Sequence, residues 1–417
     1  MLFKKKRRYN SYSYSSYSSY SRRKRVRWDR ILPIVGVSVA VLLLVVGLNF
    51  NRIKLMIKGY SFSTTSQILK LEKADVKAIL SYDKLDHMTD WLEKGTQTSF
   101  YDEYEAYITI HKDLEVDTVI TTVDNLFTNY IPKFDALAYT NEQVWHILET
   151  ASASDLQYIL DKKYSYEQMK PFMAVKGFKF TDMEGYMNVY ATKQNYNYAV
   201  LMTSYPFIDA HNKATIKYTI QNPDNVLNLV KAGFELPSSY EPADLVTPNI
   251  PIAPDCKNQM LRKEAAEALE KMYQAAKNEG YNLVLNSGYR SYARQEETYK
   301  DFENRYGGLY AKEHVALPGT SEHQTGLGVD LTSQSVVNGD RLVFGDTTEY
   351  KWAIKNAHKY GFILRFPEGQ FGFTGIVHEP WHFRYVGVDA ATAIYNNNWT
   401  LEDYCLYNGV IPLIKEK

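Results

Sequence analysis

From Ile31 to Phe50 the chain reads ILPIVGVSVAVLLLVVGLNF, about twenty residues without a charge. A helix of that length spans roughly 30 Å, the thickness of a bilayer's hydrocarbon. Such a run either crosses a membrane or is cut away as a signal peptide, whose apolar region would be about 7 to 15 residues long and end at small residues. This one exits through Asn49-Phe50-Asn51-Arg52, so an uncleaved anchor is expected. Residues 1–30 hold eleven Lys/Arg against the single acid Asp29, a net +10, and the formally neutral chain must therefore carry −10 elsewhere. Positive flanks stay in the cytoplasm, which places everything after residue 50 outside it. A basic head also suits nucleic acid, but directly before a spanning segment it reads as a topology signal, and no nucleic-acid partner is expected. Within that head, residues 9–21 (YNSYSYSSYSSYS) have no periodic apolar face to bury.

At 417 residues there is room for two or three domains, each with its own core. Cys256 and Cys405 both fall on the expected exterior side, where oxidising conditions allow a disulfide. Their positions alone do not decide pairing. Neither has the CxxC spacing of a structural zinc site, so both are excluded from metal binding.

The chemistry concentrates in the second half. Ser321-Glu322-His323-Gln324-Thr325-Gly326-Leu327-Gly328-Val329-Asp330 and Glu379-Pro380-Trp381-His382 supply imidazoles and carboxylates at spacings that suit one hydrolytic zinc. Such a site takes about three His or Asp/Glu ligands and leaves a fourth position for water. His323, Asp330 and His382 can fill the three places, and glycines at 326 and 328 let the chain fold back to aim the first two at one ion. Glu379, three residues before His382, can approach the metal without ligating it. It would then act as base, passing a proton from the activated water to the leaving amine. Zinc lowers the pKa of its water to roughly 7, so no covalent intermediate is required. A third segment, Asn286-Ser287-Gly288-Tyr289-Arg290-Ser291, follows the apolar run Leu283-Val284-Leu285, which reads as a short strand. Arg290 at its end suits the oxyanion formed on an attacked amide carbonyl. Taken singly, each of these residues is more often a surface or satisfied buried group. The whole constellation carries the reading, since no His-Glu-x-x-His string occurs.

In order and spacing, Ser287-Gly288-Tyr289-Arg290-Ser291, the run from Pro318 to Asp330 and the run from Glu379 to Gly387 resemble the VanY-type zinc D-alanyl-D-alanine carboxypeptidases, of the LAS-type peptidoglycan metallopeptidases. The likeness extends from about Asn222 to the C-terminus, with Leu236 to Val246 similar to the family's entry segment. The resemblance implies Zn2+ on His323, Asp330 and His382, Glu379 as base, Arg290 as transition-state stabiliser, and a peptidoglycan stem peptide as substrate, losing its terminal D-alanine. One departure is Gly328, where an alanine is usual. Ser321, Trp381 and Gln295 are candidate substrate-binding residues: Trp381 could pack on small methyl side chains, Ser321 and Gln295 could donate hydrogen bonds. For Trp381 a core position competes equally, and Gln295 and Arg294 read as surface positions of a helix over Ala293 to Tyr299. His358 reads as solvated, His378 as at most an outer-sphere neighbour, and His314, His87, His111, His146 and His211 receive no chemistry.

Between anchor and catalytic half, apolar residues recur at helical spacing, as in Val76, Ile79, Leu80, then Val144, Ile147, Leu148, then Leu156, Ile159, Leu160. Tyr60-Ser61, Tyr139-Thr140 and Tyr164-Ser165 precede such stretches and read as helix N-cap signals. A helical spacer or wall-docking region follows from this. Ser81-Tyr82-Asp83-Lys84 matches the SxxK of penicillin-binding enzymes, but without a KTG or SDN partner it reads as coincidence.

The expected organisation is a basic, Tyr/Ser-rich cytoplasmic segment (1–30), a transmembrane anchor (31–50), a helical spacer (51–220) and a zinc carboxypeptidase domain (221–417). The catalytic fold class is α+β: a helix over Leu261 to Asn278, short strands around 283–285, 328–331 and 382–386, and, by the resemblance, a small antiparallel sheet with zinc on its open face and helices behind. The function expected is a membrane-anchored, extracytoplasmic D,D-carboxypeptidase. The alternatives are an L,D-carboxypeptidase or wall endopeptidase using the same site, and, outside enzymes, a wall-binding scaffold, against which the completeness of the five-residue site argues.

Overall fold

The computed structural model describes residues 27–205, 207, 217–412 and 414–416. The basic Tyr/Ser-rich head, up to residue 26, and His211 lie outside the described residues. Contacts divide the chain into two compact units, Met1–Asn129 and Tyr130–Lys417.

The first unit opens with helix α1 (Trp28–Leu48). It is long and apolar enough to cross a membrane, and its Leu, Val and Ile side chains stand exposed instead of joining a core. Short helices follow, among them Lys73–Ser81 and Tyr101–Ile110, whose Ile79 and Tyr104 are buried with Trp91. Ser61 caps its helix by accepting the Thr64 amide, an orphan donor that the first turn cannot satisfy. Ser81 bonds its own helix at Ala78 O and Lys84 pairs with Asp86, so the SxxK string assembles nothing.

The second unit begins with helices of the same kind, and their caps follow the sequence signals. Thr140 with Gln143 and Ser165 with Gln168 form reciprocal capping boxes. The helix Tyr196–Ser204 then joins a core with Phe207, Phe234, Ile394 and Cys405.

The region expected to carry the catalytic site is α+β. Four strands, β1 (Leu283–Ser287), β2 (Gly328–Ser333), β3 (Phe362–Leu364) and β4 (His382–Tyr385), form an antiparallel sheet in the order β1-β2-β4-β3. Helix α2 (Lys263–Asn278) covers one face, with Ala265, Leu269, Met272 and Ala276 against Val284, Val329, Leu331 and Phe383. Side chains alternate along a strand, so Asp330, His382 and Arg384 emerge on the opposite face. Two smaller sheets add to the expected one. Tyr218–Ile220 lies between a parallel Phe234–Glu235 and an antiparallel Ile414–Glu416, and Leu245–Val246 pairs with Leu261–Arg262. That last pairing corrects the helix start: Leu261 and Arg262 are strand, and α2 begins at Lys263. Helices α3 (Tyr292–Tyr306), α4 (Gly308–His314) and α5 (Leu401–Asn408) complete the frame.

Candidate active site

Register brings the first two groups together. Asp330 of β2 stands directly opposite His382 of β4, and such cross-strand neighbours are within side-chain reach. His323 sits on a single turn, Glu322–Thr325, that ends at Gly326 with φ +67. There the left-handed backbone favours glycine, and the turn carries the chain straight into β2. On the other side, a bulge in β1 between Leu285 and Ser287 sets Ser287 opposite Asp330 and re-aims the strand end. Gly288 then passes so close to Met260 O that a Cβ would lie 2.4 Å away. The carbonyl of Gly288 accepts from His323 Nδ1 at 2.7 Å.

That bond fixes the imidazole: with Nδ1 carrying the hydrogen, Nε2 faces inward, 3.4 Å from Asp330 Oδ1. His382 is arranged in mirror fashion, its Nδ1 2.9 Å from the same oxygen and its Nε2 3.5 Å from Glu322 Oε2. One ligand atom from each of His323, Asp330 and His382 lies within 4.8 Å of the others. Two imidazoles held from behind, each turning one nitrogen onto a shared carboxylate, fit a cation with a position left open. The electrostatics agree. Burial opposes charge on Asp330, but His323 and His382 outweigh it and hold its carboxyl well below the usual range. Burial likewise opposes charge on His382, yet Asp330 and Glu322 raise it to about 9, whereas burial lowers His323.

The segment Glu379-Pro380-Trp381-His382 is a tight turn closed by His382 N–H on Glu379 O at 3.2 Å. It presents Glu379, half-buried, to the same recess as the three groups above. Burial pushes this carboxyl up to about 8. Arg290 lines that recess too, its backbone N–H on His323 O at 3.1 Å and its Nε buried without a partner. The recess has a volume of about 190 Å³ and also includes Ser321, Trp381 and Gln295 in its walls. Trp381 is 39 % exposed, hence rim and not core. Gln295 corrects the surface expectation: it is 1 % exposed, its Nε2 donating to Ala316 O and its Oε1 buried without a partner. Arg294 is a surface residue, paired with Glu297.

Residues 258–388 match the family model described as VanY, D-alanyl-D-alanine carboxypeptidase. The chain is 50% identical over 190 residues to the putative carboxypeptidase YodJ of Bacillus subtilis (strain 168), covering 45% of this chain and 69% of that relative. It is 36% identical over 183 residues to the bifunctional D-Ala-D-Ala dipeptidase and D-Ala-D-Ala carboxypeptidase VanXYC of Enterococcus gallinarum, covering 43% of this chain and 93% of that one.

The chain belongs to the VanY D-alanyl-D-alanine carboxypeptidase family.

Among solved structures, this VanY-family enzyme is similar to the LdcB LD-carboxypeptidase, at 48% identity over 45% of this chain and 89% of that one, with a TM-score of 0.43. Its site has a supporting layer that sequence reasoning missed. Behind His382, Glu322 is held by Arg365 Nε at 2.8 Å, with Arg384 Nη1 2.9 Å from the same oxygen. Arg365 in turn makes a two-pronged pair with Glu402 of α5, at 2.8 and 3.0 Å, and Lys231 lies 3.3 Å from Glu402. All five side chains are at most 5 % exposed. Glu322 carried one usable signal, a charge beside a ligand inside the motif. Arg365 and Glu402 carried none, because their roles arise from contacts across 43 and 37 residues.

Other expectations change as well. His314, given no chemistry, lines the recess of this VanY-family enzyme. His358, expected on a solvated face, is half-buried and stacked on Tyr395 at 3.8 Å. His378 Nδ1 bonds Phe366 O. Cys256 and Cys405 are free and buried. At Gly328, the departure from the usual alanine, a Cβ would stand 3.1 Å from the Glu322 carbonyl carbon, so glycine leaves this crowded turn slightly looser.

Proposed function

We propose that this chain is a membrane-anchored zinc D,D-carboxypeptidase that removes the terminal D-alanine of peptidoglycan stem peptides outside the cytoplasm. The observation that carries the reading is the convergence of His323, Asp330 and His382 within 4.8 Å, with Glu379 and Arg290 in the same recess. Zn2+ bound there would supply an activated water and polarise the scissile carbonyl. Every other part belongs to side chains. Glu379, in the same recess and raised toward neutral pH by burial, would accept a proton and return it to the leaving amine. Arg290, with a buried Nε that lacks a partner, is placed to meet charge developing on the attacked carbonyl oxygen. Ser321 and Gln295 offer hydrogen bonds to the peptide, and Trp381 an apolar rim.

The exposed apolar side chains of α1 and the basic residues before it support a single-pass anchor with the catalytic region outside. The helices that follow α1, as far as Tyr196–Ser204, would then act as spacer between bilayer and wall. Incubating the full-length chain in detergent with defined tetra- and pentapeptide stems, and weighing the products, tests the specificity. Loss of one alanine from the pentapeptide is expected. Intact pentapeptide with a shortened tetrapeptide would overturn the D,D assignment in favour of L,D-carboxypeptidase. Chelation should abolish turnover, and penicillin should not inhibit, since no serine is acylated.

A further inference from the structure

One wall of the recess continues onto the surface as a small cluster of aromatic rings. Phe302 and His314 line the recess itself. Between these two the rings form a small cluster that leaves the recess and returns to it: Phe302 to Tyr306 with centroids 5.0 Å apart, Tyr306 to Tyr310 at 5.4 Å, Phe302 to Tyr310 at 6.5 Å, and Tyr310 to His314 at 3.8 Å with planes 10° from parallel. The cluster joins the end of α3 to α4 across Gly307, whose φ of +89 turns the chain between them.

Its inner member has a structural task, since Phe302 packs on Tyr299, Ala311 and Val315. The outer members do not share it. Tyr306 is 57 % exposed, Tyr310 45 % and the adjacent Leu309 84 %. Apolar surface left open and contiguous commonly marks a contact site, and tyrosine offers a large rigid face together with a polar tip. A pyranose ring is its chemical complement, having one face of C–H groups and a rim of hydroxyls. A cluster with only two exposed rings is small for a protein partner, which needs about 800 Å² on each side. It suits one or two sugar rings, and its continuity with the recess says which sugars would arrive there.

We propose that Tyr306 and Tyr310, with Leu309 beside them, form a sugar-stacking subsite that holds the glycan strand carrying the stem peptide in the recess. The proposal rests on the reading of that recess as a stem-peptide site. The subsite gives the enzyme a preference for peptide attached to polymer over free peptide.

The test uses the full-length chain in detergent, as wild type, as Tyr306→Ser/Tyr310→Ser and as Tyr306→Phe/Tyr310→Phe. Two readouts are taken: kcat/KM for glycan-linked against free pentapeptide, and binding of peptide-free glycan oligomers. Wild type should prefer the linked substrate by at least about fivefold, a size that one or two stacked rings can supply. The Ser pair should bring that ratio close to one, through KM, with free-peptide turnover unchanged; the Phe pair should keep the preference. An unchanged ratio in the Ser pair, or equal glycan binding by wild type and Ser pair, overturns the subsite. Should the pentapeptide prove not to be the substrate, the carboxypeptidase specificity falls separately, and the glycan-binding comparison still decides the platform.

Discussion

At the scale of single residues, Glu379 and Glu322 do different work although both are carboxylates next to the same imidazole. Glu379 faces the recess with a raised pKa, whereas two arginines hold Glu322 well below the carboxylate range against the opposing effect of its own burial. Glu379→Gln should therefore keep bound metal, measured by elemental analysis, and lose about 10²- to 10⁴-fold in kcat. Unchanged turnover would remove Glu379 from the reaction. Glu322→Gln should weaken metal binding by about 10- to 100-fold in a metal-buffer titration, the usual effect of losing a carboxylate behind a ligating histidine. Undiminished affinity would make Glu322 purely structural. The residues proposed as ligands and base could be picked out from the chain because they stand in short motifs. The burial of Gln295 was not, since helical spacing gives a face and not what covers it.

Among elements, the turn from His323 into β2 and the strand register β2–β4 do the positioning. Gly326 holds φ +67, and an added Cβ would lie 3.0 Å from both Arg262 Cγ and Leu245 Cδ2. Gly326→Ala should cost at least about 1–2 kcal/mol in urea unfolding, from the left-handed backbone alone, and reduce turnover by tilting His323. Retained stability would show that the turn relaxes without strain. Thr140→Ala, which removes a capping box far along the chain from the motifs, should cost about 1 kcal/mol with turnover unaffected. Strand β1 was legible as an apolar run leading into a motif, and β2 and β4 as short strands starting at motif residues. The strand Leu261–Arg262 was not, because its partner Leu245–Val246 was needed to pull it out of the helical pattern.

For the whole molecule, the buried chain Lys231–Glu402–Arg365–Glu322 ties α5 to the site. Burial opposes the charge of Glu402, yet Arg365 and Lys231 prevail and hold its pKa below the ordinary value. A depressed folded pKa gives stability that is complete above the unfolded value of about 4.3 and is lost as pH falls through the folded one. The contribution of Glu402 to thermal stability should therefore be constant with pH near neutrality and be lost progressively below about pH 4. Glu402→Gln should cost about 3–5 kcal/mol at pH 7 by stranding buried cations, with the gap to wild type narrowing in acid. A gap that stays constant with pH would show that Glu402 does not act through its charge. What the sequence alone determined is the local part: an apolar run at its N-terminal end, capped helices, and three motifs whose spacing set the chemistry, since each depends on a few neighbouring residues. What only the tertiary structure decided is which charges stand behind the ligands, which rings line the wall of the recess and which strand pairs with which. Those depend on groups distant along the chain meeting in a buried space, where desolvation makes every partner count.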